Sequence, residues 1–155
     1  MTAVPDPDVA AMREALAEAR SALATGDVPV GAVIVDARGR VVGRGRNERE
    51  ARTDPTAHAE VVALREAAAV TGDWQLTGCT LVVTLEPCVL CAGAILAARV
   101  PRVVFGAYDD KAGAAGGVVD LLRERRLPFR VDEVVGGVLA DESASVLREF
   151  FETRR

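Results

Sequence analysis

Cys88 and Cys91 stand three apart in the stretch LEPCVLC, residues 85–91, of a 155-residue chain that holds three cysteines and one histidine. Such a pair can be part of a metal site, a redox dithiol or two inert buried thiols. The histidine, His58 in PTAHAEVV, bears on that choice. Two thiolates and a neutral imidazole are a ligand set that zinc favours, so His58, Cys88 and Cys91 are candidate zinc ligands. Positions i and i+3 of a helix share a face, which lets both sulfurs meet one ion. A helix start also offers free N–H groups and a positive dipole end, both of which stabilise thiolate.

Three protein ligands are one short of a closed tetrahedron, and an open fourth position is where catalytic zinc activates water. Glu60, two residues after His58, is then the candidate catalytic proton carrier. Residues two apart on a helix point to different sides, so this requires His58 to lie at the very start of its helix. The four residues together describe hydrolytic deamination. A redox dithiol leaves His58 and Glu60 without a role, a purely structural site would recruit Cys79 as a fourth ligand, and inert thiols ignore the company the cysteines keep.

The elements that must position these residues read as follows. Asp6 or Asp8 caps a helix with Val9, Met12, Leu16, Ala19 and Leu23 at helical spacing, ending near Gly26. Residues 28–46 read as a β-hairpin, VPVGAVIVD and VVGRGR around the turn ARGR. NEREARTDPTA is a loop, and a helix runs from about His58 to Val70 with Gly72 near its end. CTLVVTLE is a third strand, followed by a helix with Pro87 in its first turn and an apolar continuation, AGAILAA, that calls for burial on more than one side. RVVFGA is a fourth strand, YDDKAGAAGG a glycine-rich loop, VVDLLRERR a short helix, FRVDEVVG a fifth strand, and Ala140–Glu152 a terminal helix. A hairpin followed by strands that alternate with helices predicts an α/β fold with a mixed five-stranded sheet and helices on both faces.

Length predicts one domain, residues 1–155. The N-terminal stretch has no secretory pattern and no run is long and apolar enough for a membrane span, so a cytoplasmic protein is expected; an odd cysteine count with CxxC fits a reducing compartment. Net charge is −4, and Lys111 is the only lysine among 19 basic residues. That balance points away from broad nucleic-acid affinity and leaves local arginines, in the hairpin and in the terminal ETRR, as candidates for phosphate contact.

HAE with PCxxC is the established signature of zinc-dependent nucleobase deaminases, for which the bacterial tRNA deaminase is a standard example. DVPVGAVIV, GRGRNERE, DPTAHAEVVALR, TLEPCVLCAGAI, RVVFGAYDDKAGAAG and LADESASVLREFFETRR, in that order from about Asp27 to the C-terminus, resemble the bacterial tRNA-specific adenosine deaminases. The resemblance implies a three-layer cytidine-deaminase-like fold, one Zn2+ per subunit on His58, Cys88 and Cys91, and Glu60 as proton shuttle. It implies hydrolysis of the wobble adenosine to inosine in a tRNA anticodon loop, and a homodimer whose contact uses the apolar helix after Cys91. It also implies that Asn47 hydrogen-bonds the base, that Val28, Pro29 and Ala59 shape the pocket, and that Asp109, with Lys111 close by, lies along the sugar–phosphate chain. A zinc deaminase of a free nucleobase or nucleoside, guanine or cytosine, is the alternative. Tyr108 and the RERRLPF segment depart from the family pattern.

Overall fold

A computed structural model describes residues 6–154. Asp6 takes the extended conformation of an N-cap and its side chain accepts the Asp8 N–H, with Pro7 opening helix α1 (Pro7–Ser21), which a 3₁₀ turn prolongs to Thr25. Then follow β1 (Gly31–Val35), β2 (Val41–Arg46), a one-turn helix α2 (Arg49–Arg52), α3 (Ala59–Thr71), β3 (Thr80–Leu85), α4 (Val89–Ala97), β4 (Arg102–Ala107), β5 (Glu133–Val135) and α5 (Ala140–Glu152).

The five strands form one sheet in the order β2-β1-β3-β4-β5. β1 pairs antiparallel with both β2 and β3, while β3–β4 and β4–β5 are parallel. The alternation of side chains sends each strand's residues to two cores. Val33, Val82 and Val104 pack with Met12 and Leu16 of α1 and Val146 of α5 on one face. Ile34, Leu81, Val83, Val103 and Phe105 pack with Ala63 and Leu64 of α3 and Ile95 of α4 on the other. Helices therefore cover both faces, as the element pattern predicts.

Two differences from the sequence reading concern the site. Cys88, with φ −83° and ψ −179°, is the N-cap of α4, so Pro87 precedes the helix instead of opening it. No helix forms over VVDLLRERR. Gly116 and Gly117 precede it, Ala115 bridges Asp120, and Val131 N–H bonds the Leu122 carbonyl, so Leu122 is driven into the core as part of an irregular segment. The 47–57 loop also contains α2, and β1 and β5 are shorter than the stretches that contain them.

Glycines set how closely α3 approaches the hairpin. A Cβ at Gly45 would lie 2.2 Å from the Ala59 carbonyl oxygen, and one at Gly43 2.4 Å from that of Ala63, so both must lack a side chain for α3 to lie on β2. Gly45→Ala is expected to lower stability by about 1–3 kcal/mol, read from the midpoint of urea unfolding.

At the other end of α1, Arg102 on β4 donates to both Asp8 oxygens at 2.8 and 2.7 Å. This hydrogen-bonded guanidinium holds the Asp8 carboxyl below its ordinary value of 3.8. A depressed carboxyl contributes stability above its unfolded pKa and loses it as pH falls through the folded one. Asp8→Asn should therefore cost about 1 kcal/mol at neutral pH, and the gap between variant and parent should close in acid titrations below the ordinary value.

Candidate active site

One edge of the sheet gathers four chain segments. In register, Gly31 faces Arg46 and Leu85 faces Ala107, and the Gly31 N–H reaches Thr84 Oγ1 at 3.2 Å. The entry to β1, the exit from β2 and the C-terminal ends of the parallel strands β3 and β4 thus share this edge, the place where open α/β sheets bind ligands. Helices α3 and α4 both start here.

His58 is the N-cap of α3, extended at φ −71° and ψ 151°, which frees its ring to turn away from the helix face that Glu60 follows. Its Nδ1 lies 3.7 Å from Cys88 Sγ and 3.4 Å from Cys91 Sγ, and all three donor atoms fall within 4.8 Å of one another. A tetrahedral ion bound about 2.3 Å from sulfur and about 2.0–2.1 Å from nitrogen separates those atoms by roughly 3.5 Å. The donor set fits zinc in chemistry and spacing. Cys88 and Cys91 occupy the N-cap and third positions of α4, the two that face each other across a helix start.

Charge at the cluster is uneven. Hydrogen bonds from Cys91 and His58 pull Cys88 down to about 3, while the same pairing and burial push Cys91 up. These are two halves of one coupled titration: the protein groups accept one negative charge readily and resist a second, which a dication would stabilise. The hydrogen bond to Cys88 raises the His58 pKa despite burial.

Glu60, 4% exposed, is pushed up by burial, more strongly than its bond with Cys91 and the nearby His58 draw it down. A carboxyl held above its usual range is suited to carry a proton near neutral pH.

A pocket of about 210 Å³ opens above these groups. His58, Cys88, Glu60, Ala59, Val28, Asn47 and Asp109 line it; Pro29, buried, and Lys111, exposed, do not. Asn47, 8% exposed, accepts the Arg49 N–H through Oδ1 at 3.2 Å, which leaves its NH2 to meet a ligand. Asp109 Oδ1 accepts the N–H groups of Lys111 and Ala112, folding the loop on itself. Cys79 starts β3 at the opposite edge and is absent from the donor cluster, so a fourth cysteine ligand is not available; burial raises its thiol.

Three residues escaped the sequence reading. Arg49 lines the pocket and, with Arg154 and Phe150, also lines an adjoining hollow that shares Val28 and Asn47. Asp27, 1% exposed, accepts from the N–H groups of Glu50 and Ala51 and from Thr25 Oγ1, and so holds α2 in place. Glu86, 2% exposed, lines the pocket from beneath its loop. Backbone N–H partners leave no trace in a charge pattern. None of the hairpin arginines lines the pocket, and three are paired with acids: Arg40 with Asp36, Arg44 with Glu14 and Arg46 with Glu48. Arg155 lies outside the described residues.

Residues 5–107 match the family described as the cytidine and deoxycytidylate deaminase zinc-binding region. The chain belongs to this family. Among individual relatives, the tRNA-specific adenosine deaminase of Bacillus subtilis is 46% identical over 144 residues, 93% of this chain and 88% of the relative. The tRNA(Ile)-lysidine synthase of Deinococcus radiodurans is 55% identical over 151 residues, and that of Deinococcus deserti 54% over 145. This chain spans about a quarter of those two relatives, 26% and 27% respectively. A solved structure from work on A-to-I editing by tRNA:A34 deaminases at the wobble position superposes with a TM-score of 0.84 at 41% identity, covering 89% of this chain and 99% of that one. A guanine deaminase from Nitrosomonas europaea superposes with a TM-score of 0.80 at 25% identity, covering 96% and 86%. The mixed sheet and its helices are the three-layer cytidine-deaminase-like fold of the tRNA:A34 structure.

Metal analysis of purified variants checks the ligand set. His58→Ala and Cys88→Ser should each lose zinc almost completely, whereas Cys79→Ser should retain one zinc per chain.

Proposed function

We propose that this chain is a single deaminase domain that hydrolyses the wobble adenosine of a tRNA anticodon loop to inosine, releasing ammonia. One observation carries the reading: three zinc donors and a buried carboxyl converge beneath a pocket of about 210 Å³. Pockets for drug-sized ligands run to roughly 300–1,000 Å³, so this one suits a single flipped base. The substrate assignment draws on the Bacillus subtilis tRNA-specific adenosine deaminase, with 46% identity over 93% of the chain.

Zinc held by His58, Cys88 and Cys91 would supply the nucleophile by acidifying a bound water. Glu60 would carry both protons of the attacking water in turn on a carboxylate oxygen, the first to a ring nitrogen of adenine and the second, from the new hydroxyl at C6, to the amine that leaves as ammonia. Its burial raises the carboxyl above its ordinary range, toward that of a proton carrier. The Asn47 NH2 donates to the base edge, since its oxygen is already engaged by Arg49. Val28 and Ala59 wall the ring and exclude water, next to the buried Pro29. Asp109 lies at the rim on the side of the sugar–phosphate chain, with Lys111 exposed beyond it.

An adenosine in a single-stranded loop is flipped at less cost than a paired base. Net charge of −4 makes local cations necessary, and Arg49 and Arg154 beside the pocket meet that need. A free-base deaminase is the second reading, favoured by the superposition on guanine deaminase. No helix among the described residues is long and apolar enough to cross a membrane, which agrees with a cytoplasmic tRNA-modifying protein.

We further propose a homodimer through the outer face of α4, where Val89 is 60% and Leu90 41% exposed beside the metal ligands. Contiguous apolar exposure of this kind marks an interaction surface.

Incubating the zinc-loaded chain with an anticodon stem-loop bearing adenosine at the wobble position, and separately with free guanine and cytosine, distinguishes the readings by product. Glu60→Gln should lower inosine formation at least about 10²-fold while zinc stays at one per chain; undiminished turnover would sink the mechanism. Leu90→Arg should shift a dimer to monomer in sedimentation velocity, and a wild-type monomer at micromolar concentration would remove the dimer.

A further inference from the structure

Asp27, Glu60 and Glu86 are the three carboxyl side chains buried around the pocket. Glu60 faces the reacting base and Asp27 holds α2, which leaves Glu86 with no part in the chemistry. It sits between the end of β3 and the Cys88 ligand, and its partners are three backbone N–H groups. Oε1 accepts from Asp109 at 3.0 Å, and Oε2 accepts from Ala115 at 3.0 Å and from Gly117 at 2.8 Å. The next residue adds a fourth tie, the Pro87 carbonyl accepting the Ala114 N–H at 2.8 Å.

All four donors belong to one irregular loop, which carries Asp109 and Ala112 to the rim of the pocket. The loop's glycines are where it closes on the carboxylate. A Cβ at Gly113 would lie 2.3 Å from Glu86 Cδ and Oε2, and one at Gly117 2.6 Å from Oε1. A buried carboxylate is costly unless hydrogen bonds replace its water, and this one is solvated by the loop it organises. The arrangement is specific to acceptor chemistry: both oxygens face N–H donors, so neither position tolerates a donor.

We propose that Glu86 is a positioning residue for substrate, holding the rim loop of residues 108–117 in a fixed place relative to the Cys88 side of the metal cluster. Glu86 and Pro87 act as a peg and the loop as a sleeve around it, so the surface that meets the flanking sugar–phosphate chain is registered to the reaction centre two residues away. This rests on the deaminase reading above.

In Glu86→Gln the amide must turn its NH2 toward at least one N–H donor. The amide oxygen can keep Ala115 and Gly117, so the Asp109 tie is the one lost. With the zinc-loaded full chain and the wobble-adenosine stem-loop, E86Q should raise KM roughly tenfold, the loss of about one hydrogen bond. Its kcat should stay within about twofold and zinc at one per chain, with faster amide exchange in 108–117 and unchanged exchange in β3 and α4. Gly113→Ala presses on the same carboxylate from the loop side and should reproduce the KM rise with zinc retained. A fall in kcat at constant KM in both variants would overturn the proposal, as would parental amide exchange in the loop. A wild-type chain inactive on RNA would instead defeat the deaminase reading, and the exchange measurement would still decide whether Glu86 holds the loop.

Discussion

Helices α3 and α4 begin at the same edge of the sheet, and each begins on a metal-ligand side chain in extended conformation. The rest of the site depends on that coincidence of two N-caps. An N-cap residue is not bound to the helical face that follows, so His58 can turn to the sulfurs while Glu60, two positions later, stays buried in the pocket floor. Cys88 and Cys91 meet because an N-cap and the third helical residue lie over one another. What brings the two caps together is the sheet: β2 leads through the 47–57 segment to α3 and β3 leads to α4, with β1 between them as antiparallel partner of both. Gly43 and Gly45 then let α3 lie close enough on β2 for its first turn to reach the cluster.

Two carboxyls at the pocket shift in opposite directions, although burial pushes both upward. Glu60 lies where burial outweighs its bond with Cys91 and its pKa rises. Asp27 is equally hidden, yet its bonds from Thr25, Glu50 and Ala51, with Arg49 nearby, outweigh burial and its pKa falls. Local hydrogen bonding thus separates the candidate proton carrier from a structural anion. Asp27 fixes α2, and with it Arg49 beside Asn47, on one side of the pocket. On the opposite side the loop of Asp109 closes around Glu86. The chemistry is confined to the floor, and the walls are set by carboxylates that solvate backbone N–H groups.

The terminal helix, residues 140–152, was readable to the residue because its apolar positions repeat at helical spacing. The segment VVDLLRERR carries apolar residues too, yet contacts that no local pattern encodes decided its shape: the Ala115–Asp120 bridge and the pairing of Leu122 with Val131. Pro87 stands two residues before the first helical position it was expected to fill, for a related reason. Its backbone suits a first helical position, but the chain needs an extended Cys88 after it to aim the sulfur at His58.

By itself the sequence determined the ligand types and their spacing and nominated Glu60 as proton carrier, because residue chemistry and a three-residue offset are local properties. Likeness of motif carried the reading on to the family and its substrate. Only the tertiary structure decided that Cys79 stays out of the donor cluster, that Arg40, Arg44 and Arg46 of the hairpin are paired with acids, and that Arg49 lines the pocket. The roles of Asp27 and Glu86 also belonged to it alone. Their distant partners are backbone N–H groups 23 to 31 residues away in the chain, and every residue except proline offers that same donor, so no residue type in the sequence marks the pairing.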